Sequence, residues 1–181
     1  MKAKTLLFLL VGSALTIAQS RATTLPDACG DDKVTFGVTT AKSQPAPAAP
    51  PTGQAQIVFA ESFEQNMGFC IGCRVTTRVG MDGNWVGGNR GNSYFTLNVA
   101  PGAHHLCVGW QSVFGKLKKE VALASLTSEP GKVYYFETRV RITTYGEHAG
   151  NEYALELVPL NEDEGRYRIK AWDLATSKPK K

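Results

Sequence analysis

Beyond its first 22 residues the chain has no apolar run that approaches the length of a membrane span, so no transmembrane segment is expected in the mature protein. It also lacks a Gly-x-Ser-x-Gly elbow and a His-Glu-x-x-His pair, which removes the usual signposts of acyl transfer and zinc proteolysis. The glycine-rich stretch at 87–93 fits neither of the common phosphate-binding spacings and reads instead as a flexible connection. Taken from Asp82 as a calcium loop, the same region puts Val86 where an oxygen ligand is needed and Ser93 where a glutamate belongs. The histidines are scattered. His104 and His105 are adjacent on an expected strand and so point to opposite faces, while His148 sits in a loop. No local arrangement of serine, histidine and acid suggests a nucleophile, and the expectation is a protein that is not an enzyme and carries no cofactor.

A concentrated positive face is missing too. The formal charge is +4, but Lys2, Lys4 and Arg21 precede the expected cleavage point, and their loss lowers it to +1. Lys178, Lys180 and Lys181 then fall in what reads as a frayed basic tail, residues 173–181. The body is left slightly acidic, which argues against nucleic acid as a partner. What the start does contain is a secretory signal: Lys2 and Lys4, an apolar stretch over 6–18, and small residues at Ser20 and Ala22. Cleavage after Ala22 is expected, with Ser20 as the alternative register. Cys29 lies too far downstream to be a lipid anchor, so the product should be an exported protein, periplasmic or extracellular.

The four cysteines, Cys29, Cys70, Cys73 and Cys107, are an even count in a chain bound for an oxidising compartment, where two disulfides are the ordinary outcome. Three pairings are open. The one favoured here joins Cys29 to Cys107, fastening the front of the chain to the domain, and closes Cys70 on Cys73 locally. The Cys-x-x-Cys spacing also suits a redox or metal centre. A reactive pair usually opens a helix, whereas β-branched residues follow Cys73, and at most one of His104 and His105 could join a tetrahedral site. Metal or thiol chemistry at Cys70 and Cys73 is therefore the alternative function, and no metal ligands are assigned.

Prolines 45, 47, 50 and 51 mark residues 41–53 as an extended linker. Ahead of it, in a front segment over 23–40, Val34, Phe36 and Val38 alternate with polar or small residues and predict one short strand. From residue 54 the period is two, broken regularly by Gly, Pro and Asn, which predicts an all-β domain over 54–172: an antiparallel β-sandwich of about seven strands. Asp82-Gly83 predicts a two-residue hairpin turn flanked by Met81 and Asn84. The strands on either side of Pro101-Gly102 are expected to pair with each other. Asn161 before Glu162, Asp163 and Glu164 allows a short C-terminal helix to about Trp172, weakened by Gly165.

Trp85, Arg90 and Tyr94 gather around the glycine-rich stretch and form the one candidate partner surface, suited to stacking on a glycan or anchoring a protein; burial of Trp85 in the core is the competing expectation.

The turns and strand edges then form a series. Pro51-Thr52-Gly53-Gln54-Ala55 is followed by Val79 to Gly87, by Asn92-Ser93-Tyr94-Phe95 and by Pro101-Gly102-Ala103-His104; Pro130 to Tyr135 and Leu155-Glu156-Leu157-Val158 complete it. Over residues 51–160 this resembles the bacterial domain of unknown function family 2846, an exported β-sandwich module akin to PEGA-type domains. The resemblance implies fold and location, and it brings no catalytic residues. The function expected is a non-catalytic module that binds an unidentified protein or glycan partner.

Overall fold

The computed structural model describes residues 28–42, 47–66, 75–111, 120–144 and 151–180. They form ten strands and one helix: β1 (Phe36–Ala41), β2 (Ala55–Asn66), β3 (Thr76–Met81), β4 (Asn84–Arg90), β5 (Ser93–Val99), β6 (Gly102–Trp110), β7 (Val121–Ser128), β8 (Val133–Thr144), β9 (Asn151–Leu160), α1 (Glu162–Ala171) and β10 (Asp173–Pro179). The strands divide into a six-stranded sheet, ordered β1-β10-β5-β2-β8-β9, and a four-stranded sheet, ordered β4-β3-β6-β7. No helix among the described residues is long and apolar enough to cross a membrane.

Period-two alternation explains how the two sheets share a core. Ala55, Ile57 and Phe59 of β2 lie on one face and meet Phe95 and Phe136 from the neighbouring strands, the Phe59 ring centroid standing 5.3 and 6.3 Å from theirs. Val79, Leu106 and Val108 of the four-stranded sheet join the same cluster. The intervening residues Val58 and Ala60 are also apolar and also buried, because the other face of β2 lies under α1 with Tyr94, Tyr135, Ile169 and Trp172. A strand covered on both sides must be apolar at successive positions, as Ile57-Val58-Phe59-Ala60 is.

Local chemistry sets the turns and the cap. Asp82 (φ 51°) and Gly83 (φ 84°) are both left-handed, the geometry of a type I′ turn, and Met81 pairs with Asn84 as expected. Asn161 Oδ1 accepts from the Glu164 backbone N–H at 2.9 Å and caps α1. Gly165, unfavourable as a helix former, is what lets α1 approach the sheet: a Cβ there would run into the Tyr135 ring.

Several expectations are corrected. The described residues form eight strands between 54 and 172, where about seven are expected, and β10 adds one beyond them; the larger sheet is mixed, β2 running parallel to β8 and β10 parallel to β5. The strands around Pro101-Gly102 do not pair. β5 sits between β10 and β2, β6 sits between β3 and β7, and the Pro-Gly bend carries the chain from one sheet to the other. Two strands that face each other across a core show the same alternation as two that pair edge to edge, which is why the pattern misled. Residues 173–179 are not part of a frayed basic tail, since β10 pairs with β1 from Phe36↔Pro179 to Ala41↔Leu174, while Lys181 lies outside the described residues. Lys178 lies on an exposed face of the paired strand while Ala175 is buried. The glycine-rich stretch is likewise strand as far as Arg90: a Cβ on Gly87 would press on Phe95 at 3.0 Å, so its glycine serves close packing.

Candidate functional site

On the face of the four-stranded sheet opposite Val79, Leu106 and Val108, alternation places Arg78 and Gly80 of β3 beside Cys107 and Gly109 of β6. Trp85 of β4 pairs with Gly80 and lies across this face, reaching Gly109, where a Cβ would stand 3.3 Å from the indole. The Arg78 guanidinium stacks on the indole at 4.2 Å from its centroid. Over both passes the front segment, 28–34. Cys29 is bonded to Cys107, with a Cα–Cα distance of 5.3 Å across 78 residues of chain.

The segment is held largely through its own backbone. Gly83 N–H donates to Ala28 O at 3.3 Å, and Trp85 Nε1 donates to Asp31 O at 2.9 Å. Arg78 donates to Asp32 O at 2.9 Å, to Val34 O at 2.7 Å and to Asp32 Oδ1 at 3.1 Å. Further along, the Gln111 side chain receives the Phe36 N–H at 2.6 Å and donates to Phe36 O at 2.7 Å, copying a strand pairing where no strand is available. A guanidinium only 2 % exposed is tolerable because carbonyls and a carboxylate surround it; its Nε has no partner among the described residues.

The expected surface of Trp85, Arg90 and Tyr94 is not assembled. Trp85 is 8 % exposed beneath the front segment, Tyr94 is 2 % exposed under α1, and Arg90 alone faces solvent. Trp85 and Tyr94 belong to different layers, so no stacking platform for a glycan exists there. The bridge between Cys29 and Cys107 is present as expected, whereas Cys70, Cys73 and His148 lie outside the described residues. Among the described residues no three His, Cys, Asp or Glu side chains form a metal-binding group.

Two polar features escaped the sequence reading. Glu61 follows Ala55, Ile57 and Phe59 in phase and is buried with them; Ser93 and Thr138 are its neighbours in the sheet, and Thr77 donates its hydroxyl to Glu61 Oε2 from the opposite sheet. Thr77 in turn pairs with Asn89 and Trp110, and all six of these residues are fully buried. Glu61 Oε1, Asn89 Oδ1, Thr138 Oγ1 and Trp110 Nε1 have no partners among the described residues. Burial pushes the Glu61 carboxyl up to about 8, outweighing the Thr77 hydroxyl and the nearby backbone of Gly91 and Thr77, so it is neutral at pH 7. The signal available in the sequence was an acid in the inward register of an apolar strand.

The second feature is at the hairpin. His104 Nδ1 lies 2.7 Å from Asp82 Oδ2 and Nε2 lies 2.8 Å from Ala100 O. Both partners are acceptors, so only the imidazolium satisfies both contacts. Burial alone would depress the histidine and raise the carboxyl, but the bond between them, with the Ala100 carbonyl and the His105 N–H, reverses both: His104 is raised and Asp82 lowered. Asp82 Oδ1 also receives the His105 N–H at 2.8 Å, tying the β3–β4 turn to β6.

Compared with models of known protein families, with characterised proteins and with solved structures, the chain finds no match.

Proposed function

We propose that the chain is an exported, non-catalytic β-sandwich module of the PEGA-like kind, one that binds a protein or glycan partner in the envelope or outside the cell. The observation that carries this reading is the Cys29–Cys107 bridge, buried at both ends and spanning 78 residues, which belongs in an oxidising compartment. The shared core of the two sheets supports the sandwich. The histidine and acid pairs that resemble catalytic machinery in composition are engaged otherwise: His104 uses both nitrogens to tie turns together, and Glu61 is sealed from solvent.

The test is expression of the full chain in a bacterium, followed by fractionation and determination of the mature N-terminus. The expected result is cleavage after Ala22 and an exported, disulfide-bonded product. That product, immobilised, should give saturable binding to a purified envelope protein or a member of a glycan panel. An uncleaved cytoplasmic chain with reduced cysteines, or an exported chain saturated by neither class, overturns the reading.

A second reading, thiol or metal chemistry at Cys70 and Cys73, is favoured by one fact: the bridge takes Cys29 and Cys107, leaving those two as the remaining pair. Thiol counting after denaturation with chelator separates the readings, and fewer than about one thiol per exported chain excludes the second.

A further inference from the structure

Residues 28–34 belong to neither sheet; β1 begins only at Phe36. They lie instead in a slot whose walls come from elsewhere in the chain: a floor of Gly80 and Gly109, the Trp85 indole, and the Arg78 guanidinium stacked on it. Every group that the slot directs at the segment through a hydrogen bond is a donor. Four of these bonds go to backbone carbonyls, of Ala28, Asp31, Asp32 and Val34, and one goes to a side chain, the Asp32 carboxylate. Such a pattern recognises the carbonyls of a turned main chain first, the turn over 31–34 being closed within the segment by Val34 N–H on Asp31 O at 3.1 Å, and an acidic group second. One position is also read by shape. A Cβ on Gly30 would lie 2.5 Å from the Trp85 backbone nitrogen and from its Cδ1, so only glycine fits against the indole.

We propose that this slot is a binding groove for a turned acidic peptide of the Gly-Asp-Asp type, and that residues 28–34 are its resident ligand, locked in place by the bond from Cys29 to Cys107. The partner is a peptide because the contacts are to main chain, and acidic because the groove supplies a cation and donors. In the oxidised protein the groove is filled. In the thiol form, an outside peptide competes with the resident one, which keeps the advantage of a high effective concentration. The inference rests on the reading of the chain as a binding module and narrows its partner.

The experiment disables the resident ligand while keeping every hydrogen-bond donor of the groove. In the mature chain, Cys29→Ser and Cys107→Ser remove the bond, and Gly30→Ala prevents the segment from seating. Trp85 emission is followed, with the same chain carrying Trp85→Phe as the reference for the other two tryptophans. The β circular dichroism should persist and the emission should shift to the red. A synthetic peptide of residues 27–35, with Cys29→Ser, should then return it to the blue with saturation. The same peptide carrying Gly30→Ala should bind at least ~10-fold more weakly, and one carrying Asp32→Asn should also be weakened. A retained β spectrum with no response to the peptide overturns the proposal. So does equal binding of the Gly30→Ala peptide, or a chain that dimerises by exchanging its own segment.

Should the triple variant not fold, the wild-type chain is reduced with a dithiol and offered the peptide with its cysteine intact in a thiol–disulfide buffer. Preferential capture on Cys107 of the natural peptide over its Gly30→Ala form supports the groove, and equal capture overturns it. An oxidised chain that binds an envelope partner yet ignores the peptide in the thiol form refutes this inference alone.

Discussion

At the scale of single residues the molecule should respond to alkali through two groups. Glu61 is protonated in the folded chain, and its carboxyl at about 8 stands above the ordinary 4.5. The unfolded chain therefore releases its proton first, and stability falls as pH rises from 4.5 to 8, by on the order of 4 kcal/mol for this group. Glu61→Gln keeps an acceptor for Thr77 and removes the titration. Its melting temperature should equal or exceed that of the wild type at pH 8, with a smaller fall between pH 5 and pH 8; an unchanged pH profile would show that Glu61 is not neutral in the fold. His104 contributes in the same direction by a different route. Its folded value is raised above 6.5, so its contribution is complete below 6.5 and disappears as pH rises through the raised value. His104→Gln should cost stability at pH 6 and little at pH 9, measured by urea unfolding at both.

At the scale of elements the helix and the last strand make opposite demands on intuition. Helix propensity alone predicts that Gly165→Ala stabilises α1 by about 1 kcal/mol. The Tyr135 ring beneath it predicts the reverse, a loss of roughly 1–3 kcal/mol from overpacking, and denaturant unfolding decides the sign. For β10, Thr176→Pro removes a donor that faces β1: Lys180 N–H donates to Thr35 O, and alternation along the ladder from that pair puts Thr176, opposite Thr39, at a hydrogen-bonded position. Loss of amide-exchange protection across β1, with a lower melting temperature, is expected. Were residues 173–181 frayed, the substitution would be silent.

At the scale of the whole molecule the Cys29–Cys107 bond closes a loop of 78 residues, worth about 4 kcal/mol in the chain-entropy picture. Cys29→Ser should lower the melting temperature, keep one cooperative transition and keep the β spectrum. The six pairs joining β1 to β10 and the Gln111 contacts to Phe36 confine the new protease sites to residues before 35, leaving β1 protected. Loss of β1 as well would show that the bond, rather than the ladder, holds the front strand.

How much of this was legible in the sequence follows from what each signal depends on. Asp82-Gly83, the Asn161 cap and the period-two strands are local, and all were readable. The partners of each strand were not, because Leu97 and Leu106 carry the same inward phase whether their strands lie side by side or in facing sheets. The tail was misread because lysines at alternate positions of a paired strand look, in one dimension, like a solvated end. Trp85 was placed on both sides of the question, and only the position of Gly30 and Asp31 above it decides for burial. Glu61 was visible as an acid in the wrong phase, yet its neighbours Thr77 and Thr138 come from distant strands.

The ordering of the larger sheet has a consequence for how the protein comes into being. β1 has one ladder partner, β10, and these are the first and last strands of the described chain. The central pair β2 and β8 is parallel, separated in the chain by the four strands of the smaller sheet together with β5. A polypeptide that emerges from its N-terminal side therefore exposes β1 as an unmatched edge until nearly everything else has been delivered, and most of its sheet closure is long-range. Such topologies fold slowly, on the order of milliseconds to seconds, and are vulnerable to edge-to-edge association while they wait. Residues 28–34, bonded to Arg78, Trp85 and Cys107, fix the start of β1 to the smaller sheet independently of β10, so the strap anchors one end of that edge before its ladder partner is needed.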